Sequence, residues 1–189
     1  MTRKVTTEKL GDILRYSRLD GIGKHWASEV TIDWGMGHKE KRVDYMLFEP
    51  EHAMTVAGIE HGIFTCFEVK SCKEDVYSGN GLNFIGDKNY LVTTMQCWKE
   101  IQYDLTQSDR LINHVKECNP ESNTSFGVMV AIPKAGGYNA QEIAIREYEN
   151  PTPIEAEGQW QFHVIRNSHK GYRKRSATEM LFFMLRSGQ

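Results

Sequence analysis

Ile63-Phe64-Thr65-Cys66-Phe67-Glu68-Val69-Lys70 is an apolar run that closes on an acid and a base. Its β-branched and aromatic content predicts a strand, and a strand turns alternate side chains to opposite faces. Phe64, Cys66, Glu68 and Lys70 then share one face, and Ile63, Thr65, Phe67 and Val69 the other. Glu68 and Lys70 project side by side from the C-terminal end of a largely buried strand. A metal-dependent hydrolase can use a rigidly held acid and base of this kind. No second Glu-x-Lys or Asp-x-Lys occurs in the chain. An isolated pair of this type is also an ordinary surface feature worth little in stability.

Upstream, Arg42-Val43-Asp44-Tyr45-Met46-Leu47-Phe48 is a further strand pattern with an Asp set among apolar residues. A carboxylate there is unfavourable unless something pairs with it. Neighbouring strands that each present a carboxylate at one end of a sheet make a site for a hard divalent cation.

Val43-Asp44 followed by Glu68-Val69-Lys70 resembles the motif of the PD-(D/E)xK nuclease superfamily, with Val where the motif name has Pro. Ser71, Asp75, Gly79-Asn80-Gly81-Leu82, Gly86-Asp87, Tyr90-Leu91-Val92 and the closing Met184-Leu185-Arg186-Ser187 are similar to its MmcB-related branch. The likeness runs from about Glu29 to Ser187. It implies a single α/β domain over 1–189 with a restriction-endonuclease-like core, a central mixed β-sheet flanked by α-helices. It also implies a metal-dependent nuclease acting on DNA. Asp44 and Glu68 would hold Mg²⁺ or Mn²⁺, with the Val69 carbonyl as a third oxygen. Lys70 would orient the attacking water or stabilise developing charge. Glu29, by the same resemblance, is the acid that approaches the metal from the segment before the first strand, alternatively an exposed strand-end residue.

Composition bounds these expectations. At 189 residues the length suits one domain, and the net charge of −2 supplies no overall basic field. Any grip on DNA must come from a local patch. The densest cationic run is Lys170, Arg173, Lys174 and Arg175 with Tyr172 among them. Together with Lys88 it is the expected DNA-binding surface, although such a run is commonly just a solvated face. The cysteines (Cys66, Cys72, Cys97, Cys118) form no CxxC pair and read as reduced thiols. With no leader-like N-terminus and no run of membrane-span length, a cytoplasmic protein is expected. His25, His38 and His61 lack zinc-ligand spacing.

The remaining periodicities predict a helix from Thr7 to about Ser17, with Thr6 or Thr7 as N-cap. Strands are expected over Glu29–Trp34, with Val30, Ile32 and Trp34 facing the core and Glu29 opening the strand on the other face. A turn over 35–41 and an extended connection over 51–62 follow. A short helix over Lys73–Tyr77 leads into a glycine-bearing loop that borders the cleft. Tyr90–Thr93 reads as a strand, and Met95–Val115 as helix broken near Gln107, with Trp98 in the core. Gly127–Ile132 reads as a strand buried on both faces, Glu142–Tyr148 as a strand, and Trp160–Ile165 as an edge strand. Ser176-Ala177-Thr178-Glu179 is a capping box that opens a last helix. Two further readings use the same fold: a catalytically weak DNA-binding accessory protein of repair, served by a protein partner that delivers substrate, and a protein-interaction module such as an inhibitor from a mobile element. A homodimer is compatible with cutting two strands by one site each.

Overall fold

A computed structural model describes residues 3–33, 40–52 and 55–187. Trp34, His38 and most of the expected first turn lie outside these residues. The elements are α1 (Arg3–Leu14), β1 (His25–Ile32), β2 (Lys41–Glu49), α2 (Val56–Glu60), β3 (Ile63–Lys70), α3 (Lys73–Val76) and β4 (Lys88–Thr94). They continue with α4 (Met95–Thr106), α5 (Arg110–Cys118), β5 (Gly127–Pro133), α6 (Ala140–Glu149), β6 (Trp160–Arg166) and α7 (Ala177–Ser187). The strands form one six-stranded sheet in the order β1-β2-β3-β4-β5-β6. β1, β2 and β3 run antiparallel in succession, β3, β4 and β5 are parallel, and β6 returns antiparallel. The protein is therefore α/β with an open mixed sheet flanked by helices. No helix among the described residues is long and apolar enough to cross a membrane.

Alternation along β3 and its neighbours separates two apolar layers. Phe67 and Val69 pack with Val92, Met129 and Leu10, Ile13 and Leu14 of α1. Phe64 and Cys66 pack on the other face with Met180 and Phe183 of α7. Beside them, Leu91, Val128 and Val130 meet α4 and α5 through Trp98, Ile101 and Leu111. β5 is buried on both faces over Gly127–Ile132, as expected of a central parallel strand. Each fully buried Phe or Leu here contributes about 1.5–3 kcal/mol.

Several boundaries differ from the sequence reading. α1 begins at Arg3, so Thr6 and Thr7 lie inside it, and the Thr7 hydroxyl donates to the Arg3 carbonyl (3.0 Å) instead of capping. A π-helical turn over Arg15–Leu19 extends it. A short helix, α2, occupies the connection expected to be extended, with the Thr55 hydroxyl accepting from the Gly58 N–H. The largest difference is α6, where a strand was expected. Asn139 and Glu142 form a complete capping box, and Ile143 and Ala144 turn inward. Alternation of Ile143 and Ile145 mimicked a strand, and the box was the overlooked helix-start signal.

Candidate active site

β1 begins at His25, so Glu29 lies inside the strand and not at its start. Its φ is +55°, a left-handed conformation unusual for a residue with a side chain. Pairing of β1 with β2 skips Glu29 and Asp44 while Ser28↔Tyr45 and Val30↔Val43 remain in register. The face alternation switches here. Ala27 and Met46 pack in the same layer as Val30 and Val43, which strict alternation would put on the opposite face. Asp44 is freed from the ladder, and its Oδ2 accepts the Val69 N–H instead (2.8 Å). The carboxylate is thereby pinned to the end of β3.

Glu68 and Lys70 emerge beside it under the loop that follows α3. Glu68 is fully buried. Its Oε1 accepts the Asn83 N–H (3.0 Å), and its Oε2 is buried without a hydrogen-bond partner. Burial, and secondarily the Asp44 charge, push the Glu68 carboxyl well above the usual carboxylate range. Burial also raises Asp44, partly offset by the Val69 N–H and the Lys70 charge. The Lys70 ammonium donates to the Asn80 carbonyl (2.8 Å) and lies 3.8 Å from Asp75 Oδ1. Asp75 is anchored by the Ser71 N–H (3.0 Å) and hydroxyl (3.2 Å) and by Arg3 of α1. Burial alone would raise Asp75, but Arg3, Ser71 and Lys70 together hold it below its ordinary value.

Gly81 explains why the loop can close so tightly. Its φ is +75°, and a Cβ there would stand 2.6 Å from Glu68 Oε2 and 2.9 Å from Lys70 Nζ. Asn83 fastens the loop to the hairpin by donating its side-chain amide to the Arg42 carbonyl (2.8 Å). Asn119 donates to Asn83 Oδ1 (3.0 Å), and Lys41 donates to Asn119 Oδ1 (2.8 Å). Asn83 and Asn119 were not singled out from sequence. The signal available was a polar residue directly after the Gly79-Asn80-Gly81-Leu82 turn that follows Glu68-Val69-Lys70.

Asp44, Val69, Lys70, Asp75 and Glu29 line one cleft of about 1010 Å³. Its other contributors include the first turns of α1, the start of β2, the loop at Gly79–Gly81, Thr31 of β1, Asn83 and Cys118 of α5. Glu29 is half-exposed and paired with Arg42 at 2.5 Å. The lining acids Glu8, Glu29, Glu40, Asp44 and Asp75 balance the bases Arg3, Lys4, Lys41, Arg42 and Lys70.

None of Lys88, Lys170, Arg173, Lys174 and Arg175 lines this cleft. Arg173 is partly buried against Asp87 (2.7 Å) over the Phe64 ring. Asp87 in turn accepts the Phe64 N–H (2.9 Å). That places Arg173 at the opposite end of β3 from Lys70, about 20 Å away at ~3.3 Å per residue. Lys88 opens β4 at that same end, opposite Thr65. Arg175 pairs through its terminal nitrogens with Asp33 (2.7 Å), Glu121 (2.9 Å) and Glu179 (2.7 Å), while its Nε is buried without a hydrogen-bond partner. Arg173 and Arg175, expected to offer their charge to DNA, are both engaged in ion pairs within the chain. Lys170 and Lys174 are exposed but stand outside the cleft.

Among the described residues, no group of three or more His, Cys, Asp or Glu side chains is arranged to hold a metal ion. Mg²⁺ keeps several waters and takes only one or two carboxylates, so Asp44 and Glu68 meet its requirement without a third. The orphaned Glu68 Oε2 suits such an ion, because a buried carboxylate without a partner is costly in its charged form. Comparison with protein-family models, with curated proteins and with solved structures found no match for this chain.

Proposed function

We propose that the protein is a metal-dependent phosphodiesterase of the PD-(D/E)xK kind, built on a restriction-endonuclease-like core and acting on DNA. The observation that carries this reading is the convergence of Asp44, Glu68 and Lys70 at the end of β3, with Glu68 Oε2 buried and unpartnered. Asp44 and Glu68 would hold Mg²⁺ or Mn²⁺, and the Val69 carbonyl is the candidate third ligand. Such an ion lowers the pKa of a bound water and polarises phosphoryl oxygens. Asn83 fixes the Glu68 carboxylate through its N–H, and the Val69 N–H fixes Asp44. Lys70, held between Asn80 and Asp75, presents a positive charge where negative charge develops on phosphate. Glu29, whose charge is felt at Asp44, would take an outer-shell role.

One feature favours the second reading, a catalytically weak DNA-binding accessory protein: the Gly81 loop closes over Glu68 and removes it from the cleft wall. Supercoiled plasmid and a single-stranded circle, incubated with Mg²⁺, Mn²⁺ or EDTA, separate the two. The expected result is metal-dependent cleavage that falls at least ~100-fold in Lys70→Ala. Absence of cleavage under every condition transfers the assignment to the accessory reading.

A further inference from the structure

The cleft has cations on two sides of its acidic floor. Arg3 and Lys4 come from the first turn of α1, and Lys41 and Arg42 from the start of β2. Arg3, Lys4 and Arg42 retain 55%, 85% and 62% of their side-chain exposure, so their charged ends remain accessible to a ligand. Their present partners, Asp75, Glu8 and Glu29, belong to the same cleft. Long side chains with exposed heads exchange one anionic partner for another at little cost. The basic run at 170–175 offers much less, since its arginines are internally paired away from the cleft.

Building on the nuclease reading, we propose that Arg3 and Lys4 on one side, and Lys41 and Arg42 on the other, grip the sugar–phosphate backbone of the nucleic acid over Asp44 and Lys70. Because acids and bases balance in the lining, this grip strengthens when a divalent cation offsets the acidic floor. Backbone contacts of this kind position a nucleic acid without reading its bases.

The test is fluorescence anisotropy of a labelled DNA duplex with full-length protein carrying Lys70→Ala to suppress cleavage, in Ca²⁺ and in EDTA. Tighter binding in Ca²⁺ is expected. On that background, Arg3→Gln with Lys4→Gln, and separately Arg42→Gln, should weaken binding at least ~10-fold. Each lost phosphate contact should also reduce the slope of log K against log salt by ~0.9. Lys170→Gln with Lys174→Gln should change neither quantity. Thermal melts of each variant confirm that it is folded. Rim variants that bind as tightly as their background, or loss of binding on changing Lys170 and Lys174, would overturn the assignment of the grip. Equal binding in Ca²⁺ and EDTA would overturn its dependence on the cation. Cleavage of plasmid by the protein with Lys70 intact is measured alongside: cleavage with unaffected rim variants sinks the rim and leaves the nuclease, whereas neither binding nor cleavage sinks both.

Discussion

Glu68 places a carboxylate where solvent does not reach, with one oxygen bonded to the Asn83 N–H and the other bonded to nothing. In the folded chain its pKa is raised, so the native state keeps a proton that the unfolded chain releases once pH passes the ordinary Glu value. Native stability is therefore lost as pH rises from that value toward the folded one. Glu68→Gln mimics the protonated form. Without metal, the difference in Tm between Glu68→Gln and the parent should grow with pH and reach ~2–4 °C at the upper end, equivalent to about 1 kcal/mol. A difference that stays flat from acid to neutral pH would contradict the buried, uncompensated carboxylate. Gly81 is the second decisive residue. A side chain there meets both a left-handed φ and the Glu68 and Lys70 head groups. Gly81→Ala should cost ~1–3 kcal/mol in chemical denaturation.

At the scale of elements, the end of β3 is shaped by what β2 ceases to do. The β2–β3 ladder runs from Glu49↔Ile63 to Tyr45↔Phe67, and the Asp44 side chain takes the next N–H. A polar side chain thus replaces a backbone rung at the point where the strands splay to form the cleft. The loop after α3 closes that end through Asn80, Gly81 and Asn83. α6 teaches a different lesson, because its start is governed by local chemistry. Both halves of its capping box are made, Asn139 Oδ1 to the Glu142 N–H (2.9 Å) and the Asn139 N–H to Glu142 Oε2 (3.2 Å). Asn139→Ala should destabilise the protein by about 1 kcal/mol, read as a lower urea midpoint with unchanged slope.

On the scale of the molecule, a cation held by Asp44 and Glu68 as proposed would couple its binding to stability. An ion that binds only the native state at about one hundred times its Kd adds ~2.7 kcal/mol. For a chain of this size that is a rise in Tm of ~5–10 °C. Mn²⁺ should produce such a rise in the parent and not in Asp44→Asn/Glu68→Gln. It should be larger at pH 8 than at pH 5.5, since the ion displaces the proton that Glu68 otherwise retains. An unchanged Tm in Mn²⁺ at both pH values would remove the ion from this site.

The strands were legible because their signals are local. β3 was read at its full length from Ile63 to Lys70, and the apolar run of β5 announced a strand buried on both faces. The break between α4 and α5 near Gln107 and the helix opened by Ser176 were legible for the same reason. Asp44, Glu68 and Lys70 stood out as charges at the edges of apolar runs, where elementary solvation demands a partner. Their convergence was another matter. It depends on a switch of faces at Glu29 and Asp44, and side-chain periodicity contains no sign of such a switch. The cationic run at 170–175 shows the same limit: charge is written in the chain, but whether it faces a ligand or an internal carboxylate depends on which residues the fold brings within reach. By itself the sequence determined the segments of β3 and β5, the polar residues that needed compensation and the helix opened by Ser176, because each follows from bonding within a few residues. Only the tertiary structure decided that Asp87 and Asp33 would consume the arginines and that the Gly81 loop would seal Glu68, because those energies exist only between segments distant in the chain.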